Sequence, residues 1–172
     1  MHTQRLKLNL KKAALAAGLV AGVCLSVCAA GFKAGDQLPD LGQLKLEGKL
    51  PEGLKGKVIL LDFWASWCEP CKASFPVMEE LQKQYGSKGV AVVAINVDEK
   101  KADMEEFLKK NTASFAVLRD AAQKLVAQAG IATMPSSFVI DQDGRVRFVH
   151  AGFHGEQSKK QYQQEIESLL KK

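Results

Sequence analysis

Two cysteines three positions apart are the residues of this chain best suited to chemistry. Cys68 and Cys71 stand in the segment LLDFWASWCEPCKASFP, residues 60–76, after an apolar strand-like run and before a helix-like run. This placement puts Cys68 at a helix N-terminus, where unpaired N–H groups and the helix dipole favour the thiolate that attacks disulfides. Cys71 lies one turn further along the same helix face and can reach back to form a short disulfide. The pattern predicts a redox-active dithiol.

Other uses of this cysteine spacing have less support in the sequence. A zinc site would need a second pair of ligands, yet no further cysteine follows residue 31, and His150 and His154 lie far along the chain. Haem attachment requires a histidine after the second cysteine, where Lys72 stands. A purely structural disulfide would gain little stability, because that gain grows with the length of the closed loop. Redox catalysis is the favoured interpretation, and no metal or organic cofactor is expected.

Asp62 is the single charged residue in the apolar run from Val58 to Trp64. Burying an isolated carboxylate is costly, so this position needs either exposure at a strand edge or a function. The functional interpretation is a buried acid whose raised pKa lets it exchange a proton with Cys71 and so activate the resolving thiol. The sequence favours this function and leaves the strand-edge alternative open.

The elements around these residues indicate one α/β domain. Strands are expected at residues 58–64, 90–97, 115–118, 136–140 and 145–149, and helices at 69–85, 101–110, 120–129 and 156–170. The alternation of polar and apolar residues before Gly48 also predicts a short N-terminal β-hairpin. Together these elements indicate a three-layer fold, in which helices cover both faces of a mixed sheet.

The first thirty residues differ in composition from the rest of the chain. Residues 1–12 hold four basic side chains and no acid, and residues 13–30 carry no charge. This order predicts a signal peptide over residues 1–30 or, alternatively, an uncleaved membrane anchor, with residues 31–172 as a domain outside the cytoplasm, in the periplasm. Without those four side chains the net charge of +5 falls to +1, so no nucleic-acid partner is expected.

The sequence resembles the thioredoxin superfamily and, within it, the TlpA/ResA-like branch of extracytoplasmic thiol–disulfide oxidoreductases. The W-C-x-x-C-K core at residues 67–72 is the most specific part of a resemblance that spans roughly residues 33–170. Further matching positions are Gly35-Asp36, Pro39-Asp40, Leu54–Val58, Phe63–Ser66, Pro76, Met134–Phe138 and Asp141–Gly144. The resemblance implies a thioredoxin-like fold and disulfide exchange, with Cys68 as nucleophile and Cys71 as resolving thiol.

Residues on two segments are expected to bind substrate. Met134-Pro135 stands just before a predicted strand, a poor position for an ordinary trans proline. In the proteins that the sequence resembles, this bond is cis and places the preceding backbone beside the cysteines to pair with a substrate strand. A simple strand-entry proline is the alternative. Trp67, with Glu69 and Pro70, is expected to border the thiol.

Two positions near the dithiol differ from residues common among the TlpA/ResA-like proteins that the sequence resembles. ResA-like reductases that serve cytochrome c maturation carry Glu three residues after the second cysteine, where this chain has Ser74. Asp62 matches thioredoxins, whereas many TlpA/ResA-like proteins carry Asn there. The first difference argues against a cytochrome-maturation substrate and leaves the general chemistry unchanged.

The resulting functional prediction is a thiol–disulfide oxidoreductase that acts on protein disulfides outside the cytoplasm. Glu69 follows the nucleophile, and its negative charge opposes the thiolate, which favours a reductase over a strong oxidant. A membrane thiol–disulfide protein is the expected electron donor. Two alternatives remain open, namely a disulfide-forming oxidase and a thiol-bearing module that handles a metal such as copper.

Overall fold

The computed structural model describes residues 31–171, so the predicted signal peptide or anchor lies outside the described part of the chain. The strands are β1 (Val58–Trp64), β2 (Val90–Asn96), β3 (Ala116–Arg119), β4 (Ser136–Ile140) and β5 (Val146–Ala151). The helices are α1 (Glu69–Tyr85), α2 (Lys101–Lys110), α3 (Lys124–Ala129) and α4 (Glu156–Leu170), with short 3-10 helices at Leu41–Gln43 and Gly86–Lys88. Within residues 31–171, none of the helices has the length and apolar composition needed to cross a membrane.

The five strands form one mixed sheet in the order β3-β2-β1-β4-β5. β1 is central, since it pairs in parallel with β2 and antiparallel with β4. Every residue of β1 and β2 is buried, which explains why both read as continuous apolar runs rather than as alternating patterns. Because β4 runs against β1, the start of β4 lies beside the carboxyl end of β1, where the dithiol loop begins.

Helices cover both faces of the sheet, which confirms the predicted three-layer α/β fold. On one face α1 and α4 lie side by side, joined by a 2.7 Å hydrogen bond from Tyr85 Oη to Glu167 Oε1. On the other face Phe138 packs edge-on against Phe63 of β1 and against Phe32 of the N-terminal segment. The main-chain N–H of Phe32 donates to the carbonyl of Ala129 in α3, so α3 and the N-terminal segment close this second face.

The structure corrects the predicted N-terminal β-hairpin. In residues 31–57 the chain forms the 3-10 helix Leu41–Gln43 and single bridges from Gln37 to Arg145 and from Glu47 to Arg119, but no paired strands. The alternating stretch cannot extend as a strand, because Lys45 and Gly48 have φ values of 51° and 119°. A side chain at Gly48 would meet the Val117 carbonyl at 2.8 Å, so this segment lies against the edge of β3 instead.

Candidate active site

The dithiol occupies the N-terminus of α1, as the sequence predicts. Cys68 is the N-cap residue and Cys71 lies in the first turn, and in this structure the two sulfurs form a disulfide. The main-chain N–H of Cys71 points at Cys68 Sγ at a distance of 3.3 Å. Cys68 is 5% exposed and Cys71 is fully buried, so an incoming group meets the sulfur of Cys68 first. An N–H donor aimed at Cys68 Sγ favours the thiolate of this residue once the disulfide is reduced.

The loop before Cys68 is held by a buried carboxylate that the sequence analysis missed. Asp98, which follows β2, accepts hydrogen bonds from the main-chain N–H and the hydroxyl of Ser66 at 3.1 Å each. Asn96 Nδ2 donates to the other carboxylate oxygen at 2.8 Å, and Asp98 is 1% exposed. Arg119 fixes the same turn by donating from Nε to the Asp98 carbonyl. The sequence signal was an acid two residues after a buried strand, at the end of the sheet where β1 also ends.

Asp62 is buried in the central strand, which excludes the strand-edge interpretation. It is 1% exposed and accepts a 2.7 Å hydrogen bond at Oδ1 from the hydroxyl of Ser137. Burial raises the pKa of Asp62 to about 7, and the Ser137 hydrogen bond opposes that rise. The side chain lies on the face of β1 that α1 and α4 cover, the same face toward which fully buried Cys71 projects from α1. A carboxyl group with this pKa can take up or release a proton near neutral pH.

The Met134–Pro135 segment lies at the end of the sheet where the dithiol loop begins. Its peptide bond is cis, and Ser136, the next residue, pairs with Phe63 near the end of β1. The Pro135 carbonyl accepts a 2.7 Å hydrogen bond from the N–H of Gly152, which ties this loop to the segment after β5. The structure therefore brings the predicted substrate-binding backbone to the same end of the sheet as the cysteines.

Three predicted contact residues surround Cys68 on the surface. Trp67 is 66% exposed, Pro70 is exposed, and the Glu69 side chain is 80% exposed. Lys72 Nζ lies 2.5 Å from Glu69 Oε1, so the positive charge nearest the dithiol in α1 is paired with a carboxylate. A groove of about 570 Å³ runs from Trp67 to α2, lined in addition by Ser66, Lys72, Asp103, Glu106, Phe107, Lys110 and Asn111.

Trp64 and Ser74 are both buried and do not reach the surface of the site. Trp64 packs against Phe75 and Phe107 with ring centroids 5.2 and 4.9 Å away, as expected for a core residue. The hydroxyl of Ser74 donates to the Cys71 carbonyl at 2.9 Å within α1. The position that carries Glu in the cytochrome-maturation reductases is thus filled here by an uncharged group bonded to its own helix.

Comparisons with known proteins agree with this site. The redoxin family model matches residues 33–166. Thiol-disulfide oxidoreductase ResA of Bacillus thuringiensis is 38% identical over 143 residues, which cover 82% of this chain and 79% of that protein. The crystal structure of a thiol:disulfide interchange protein DsbE from Chlorobium tepidum superposes with a TM-score of 0.75 at 39% identity, covering 81% of this chain and 99% of that one. StoA from Bacillus subtilis superposes with a TM-score of 0.55 at 30% identity, covering 62% and 82% of the two chains. The chain therefore belongs to the redoxin family, in the TlpA/ResA-like branch of the thioredoxin superfamily, and is a thiol–disulfide oxidoreductase.

Proposed function

We propose that the protein is a reductase of protein disulfides that acts outside the cytoplasm. The observation that carries this proposal is the arrangement of Cys68 at the start of α1, with its sulfur accepting the Cys71 N–H and its partner cysteine buried. That arrangement gives one attacking sulfur and one protected sulfur, as stepwise disulfide exchange requires. The basic and then uncharged composition of residues 1–30 supports the location.

The reaction begins with the reduced dithiol. The Cys68 thiolate attacks one sulfur of the substrate disulfide, a mixed disulfide forms, and the first substrate thiolate leaves. Asp62 as a carboxylate then takes the proton of the Cys71 thiol. The Cys71 thiolate attacks Cys68 Sγ and releases the second substrate thiolate, which leaves the protein in the disulfide form seen here. Two electrons have passed to the substrate, and a membrane-bound dithiol donor restores the starting state.

The charge arrangement beside the dithiol supports the reductive direction. A strong oxidant of this fold stabilises its reduced form by lowering the pKa of the nucleophilic thiol. Here Glu69 is negative and follows the nucleophile, and Lys72 is engaged by Glu69 at 2.5 Å. The first turn of α1 therefore supplies little net positive charge to hold the thiolate, and the disulfide form is correspondingly favoured.

The substrate is proposed to lie across the exposed surface beside Cys68. An extended segment of a protein substrate would pair with the main chain of Met134 and contact Trp67, Glu69 and Pro70. Ser74 argues against a cytochrome-maturation substrate, because it supplies no acid at the position where those reductases carry one.

Trapping of the mixed disulfide tests this proposal. In a Cys71→Ala variant the second attack cannot occur, so substrates should stay covalently bound to Cys68 in cells and separate from it on reduction. Cys68→Ala is the matched control and should trap nothing. Trapping by Cys68→Ala at the level of Cys71→Ala, or by neither variant, would contradict the proposal.

An Asp62→Asn variant that keeps both cysteines tests the proposed role of Asp62. It should release substrate from the mixed disulfide more slowly than the wild type, and unchanged turnover would remove Asp62 from the reaction.

A further inference from the structure

A chain of hydroxyl groups leads to Asp62 from the side of the sheet that α4 covers. The hydroxyl of Tyr162 in α4 lies 3.0 Å from Ser137 Oγ in β4, and Ser137 Oγ lies 2.7 Å from Asp62 Oδ1 in β1. Tyr162 and Ser137 are fully buried, and Asp62 is 1% exposed. Asp62 takes part in the proposed reaction, whereas the hydroxyls of Ser137 and Tyr162 have no role in it so far.

The direction of these hydrogen bonds follows from counting protons. A serine hydroxyl has one proton, and at 2.7 Å from a carboxylate oxygen that proton is donated to Asp62. Ser137 Oγ must then accept the proton of Tyr162. Both hydroxyls therefore donate toward Asp62 Oδ1, and each bond strengthens the next because the chain is polarised in one direction.

Protonation of Asp62 could in principle occur on either carboxyl oxygen. A proton on Oδ1 would have to be donated to Ser137 Oγ. Ser137 could then still accept from Tyr162, which leaves its own proton without an acceptor, or it could turn that proton toward Tyr162. In the second case Tyr162 would need a new acceptor, and Ser137 is the hydrogen-bond partner that the described structure gives its hydroxyl. Leaving the proton of a fully buried hydroxyl without an acceptor is costly, so a proton on Oδ1 is disfavoured. A proton on Oδ2 keeps both hydroxyls paired, and within residues 31–171 Asp62 Oδ2 is not one of the fully enclosed polar atoms that lack a partner.

We propose that Ser137 and Tyr162 are positioning residues that keep Asp62 Oδ1 as a hydrogen-bond acceptor in both protonation states, so that the proton exchanged with Cys71 is carried on Oδ2. This inference rests on the proposed role of Asp62 in the reaction. The two hydroxyls hold the carboxyl group in one orientation and decide which oxygen is the working one. They also stabilise the carboxylate against the effect of burial, which otherwise raises the pKa of Asp62.

The side chains of His150 and Glu165 are ionisable groups that lie near Tyr162. The imidazole of His150 in β5 packs edge-on against the Tyr162 ring with centroids 4.9 Å apart, and its Nε2 lies 2.8 Å from Glu165 Oε2 in α4. The readout must therefore be specific to the Asp62 carboxyl, and the oxidised protein is the right sample because its cysteines do not titrate.

The first test is a ¹³C NMR titration of the Asp62 carboxyl carbon in the oxidised full-length protein, with Asp62→Asn to assign the signal. Ser137→Ala removes the direct donor and should raise the titration midpoint by about one pH unit. Tyr162→Phe removes only the second hydroxyl and should raise it by less. Tyr85→Phe is the matched control, because it deletes a buried hydroxyl that joins α1 to α4 through Glu167 instead. That control should leave the midpoint unchanged.

The second test identifies the oxygen that carries the proton. In protonated Asp62 the proposal makes Oδ1 the carbonyl oxygen and Ser137 its donor, so the infrared C=O stretch should move to higher frequency in Ser137→Ala. If the proton were on Oδ1, the free carbonyl would be Oδ2 and the stretch would not respond to this substitution. Unchanged midpoints in Ser137→Ala and Tyr162→Phe, or an unchanged stretch in Ser137→Ala, would overturn the inference. If Ser137→Ala does not fold, the titration of Tyr162→Phe alone tests the inference. Neither readout depends on turnover, so the proposed function is tested separately by the turnover measurements.

Discussion

The main-chain N–H of Cys71 points at the sulfur of Cys68 at 3.3 Å, and this single relationship gives the two cysteines different chemistry. Cys68 is the N-cap of α1 and partly accessible, whereas Cys71 is fully buried one turn later. Donation from the helix N-terminus stabilises negative charge on Cys68, and burial disfavours it on Cys71.

Alkylation rates should show this difference. In the reduced protein at neutral pH, we expect iodoacetamide to modify Cys68 at least about tenfold faster than Cys71, because the thiolate is the reactive form and only Cys68 is accessible. Peptide mapping by mass spectrometry after timed quenching measures both rates in one sample. Equal rates, or faster modification of Cys71, would reverse the assignment of nucleophile and resolving thiol.

Asp62 should make the stability of the oxidised protein depend on pH in a defined way. Its pKa is raised from 3.8 in the unfolded reference to about 7 in the folded protein. Between these values the folded state holds a proton that the unfolded state has released, so stability falls as pH rises. Ionisation of buried Asp62 thus lowers the free energy of unfolding by about 4 kcal/mol above pH 7. Below about pH 4 this loss is absent.

Urea unfolding of the wild type and Asp62→Asn at pH 4 and pH 8 measures that loss. The stability advantage of the variant over the wild type should be larger at pH 8 than at pH 4, because Asn carries no titrating proton. Ser137→Ala should keep a pH dependence of the same sign, since it retains Asp62. A wild-type to Asp62→Asn difference that is the same at both pH values would show that Asp62 is not buried as described.

Much of this site was predictable because its signals are local. The run from Val58 to Trp64 is a buried central strand, and the helix predicted from Glu69 to Tyr85 has those bounds in the structure. Both follow from residues adjacent in sequence. The predicted hairpin was wrong because the conformation of residues 43–47 is set by a distant partner, the edge of β3. The local alternation of polar and apolar residues does not determine it.

The supporting residues could not be read from the sequence. Asp98 meets Ser66 across 32 positions, and Ser137 meets Asp62 across 75. These pairs exist only because β2 and β4 both flank β1 in a particular register. A one-residue slip of β4 would turn Ser137 to the opposite face of the sheet, so no local pattern encodes the contact.

Asp98 is expected to matter for stability and for activity through the loop that precedes Cys68. Asp98→Ala removes the acceptor of two Ser66 hydrogen bonds and leaves a buried donor on Asn96. We expect a loss of about 3 kcal/mol in unfolding free energy and a lower rate of disulfide exchange at Cys68. Chemical denaturation and stopped-flow reduction of a model disulfide measure the two effects. Asp143→Ala, at an exposed position in the turn between β4 and β5, is the matched control. Equal effects of the two substitutions would show that Asp98 has no special role.

Trp67 should contribute to substrate binding but not to folding. Because its side chain is 66% exposed beside Cys68, Trp67→Ala should leave the melting temperature within about 2 °C of the wild type and raise KM for a protein disulfide severalfold. Val149→Ala provides the comparison, since Val149 is the other large apolar side chain exposed in residues 31–171 and lies on β5. If both variants change KM alike, or neither does, Trp67 is not part of the substrate surface.

The reduction potential of the Cys68–Cys71 pair tests the proposed direction of electron flow most directly. The pairing of Lys72 with Glu69 at 2.5 Å leaves the nucleophile without the positive surroundings that a strong oxidant needs. Equilibration of the full-length protein with glutathione buffers, followed by quantification of both forms, yields the potential. The account predicts a value nearer the roughly −270 mV of thioredoxin than the roughly −120 mV of a strong oxidant of this fold. A value above about −160 mV would contradict it and assign the protein to disulfide formation instead.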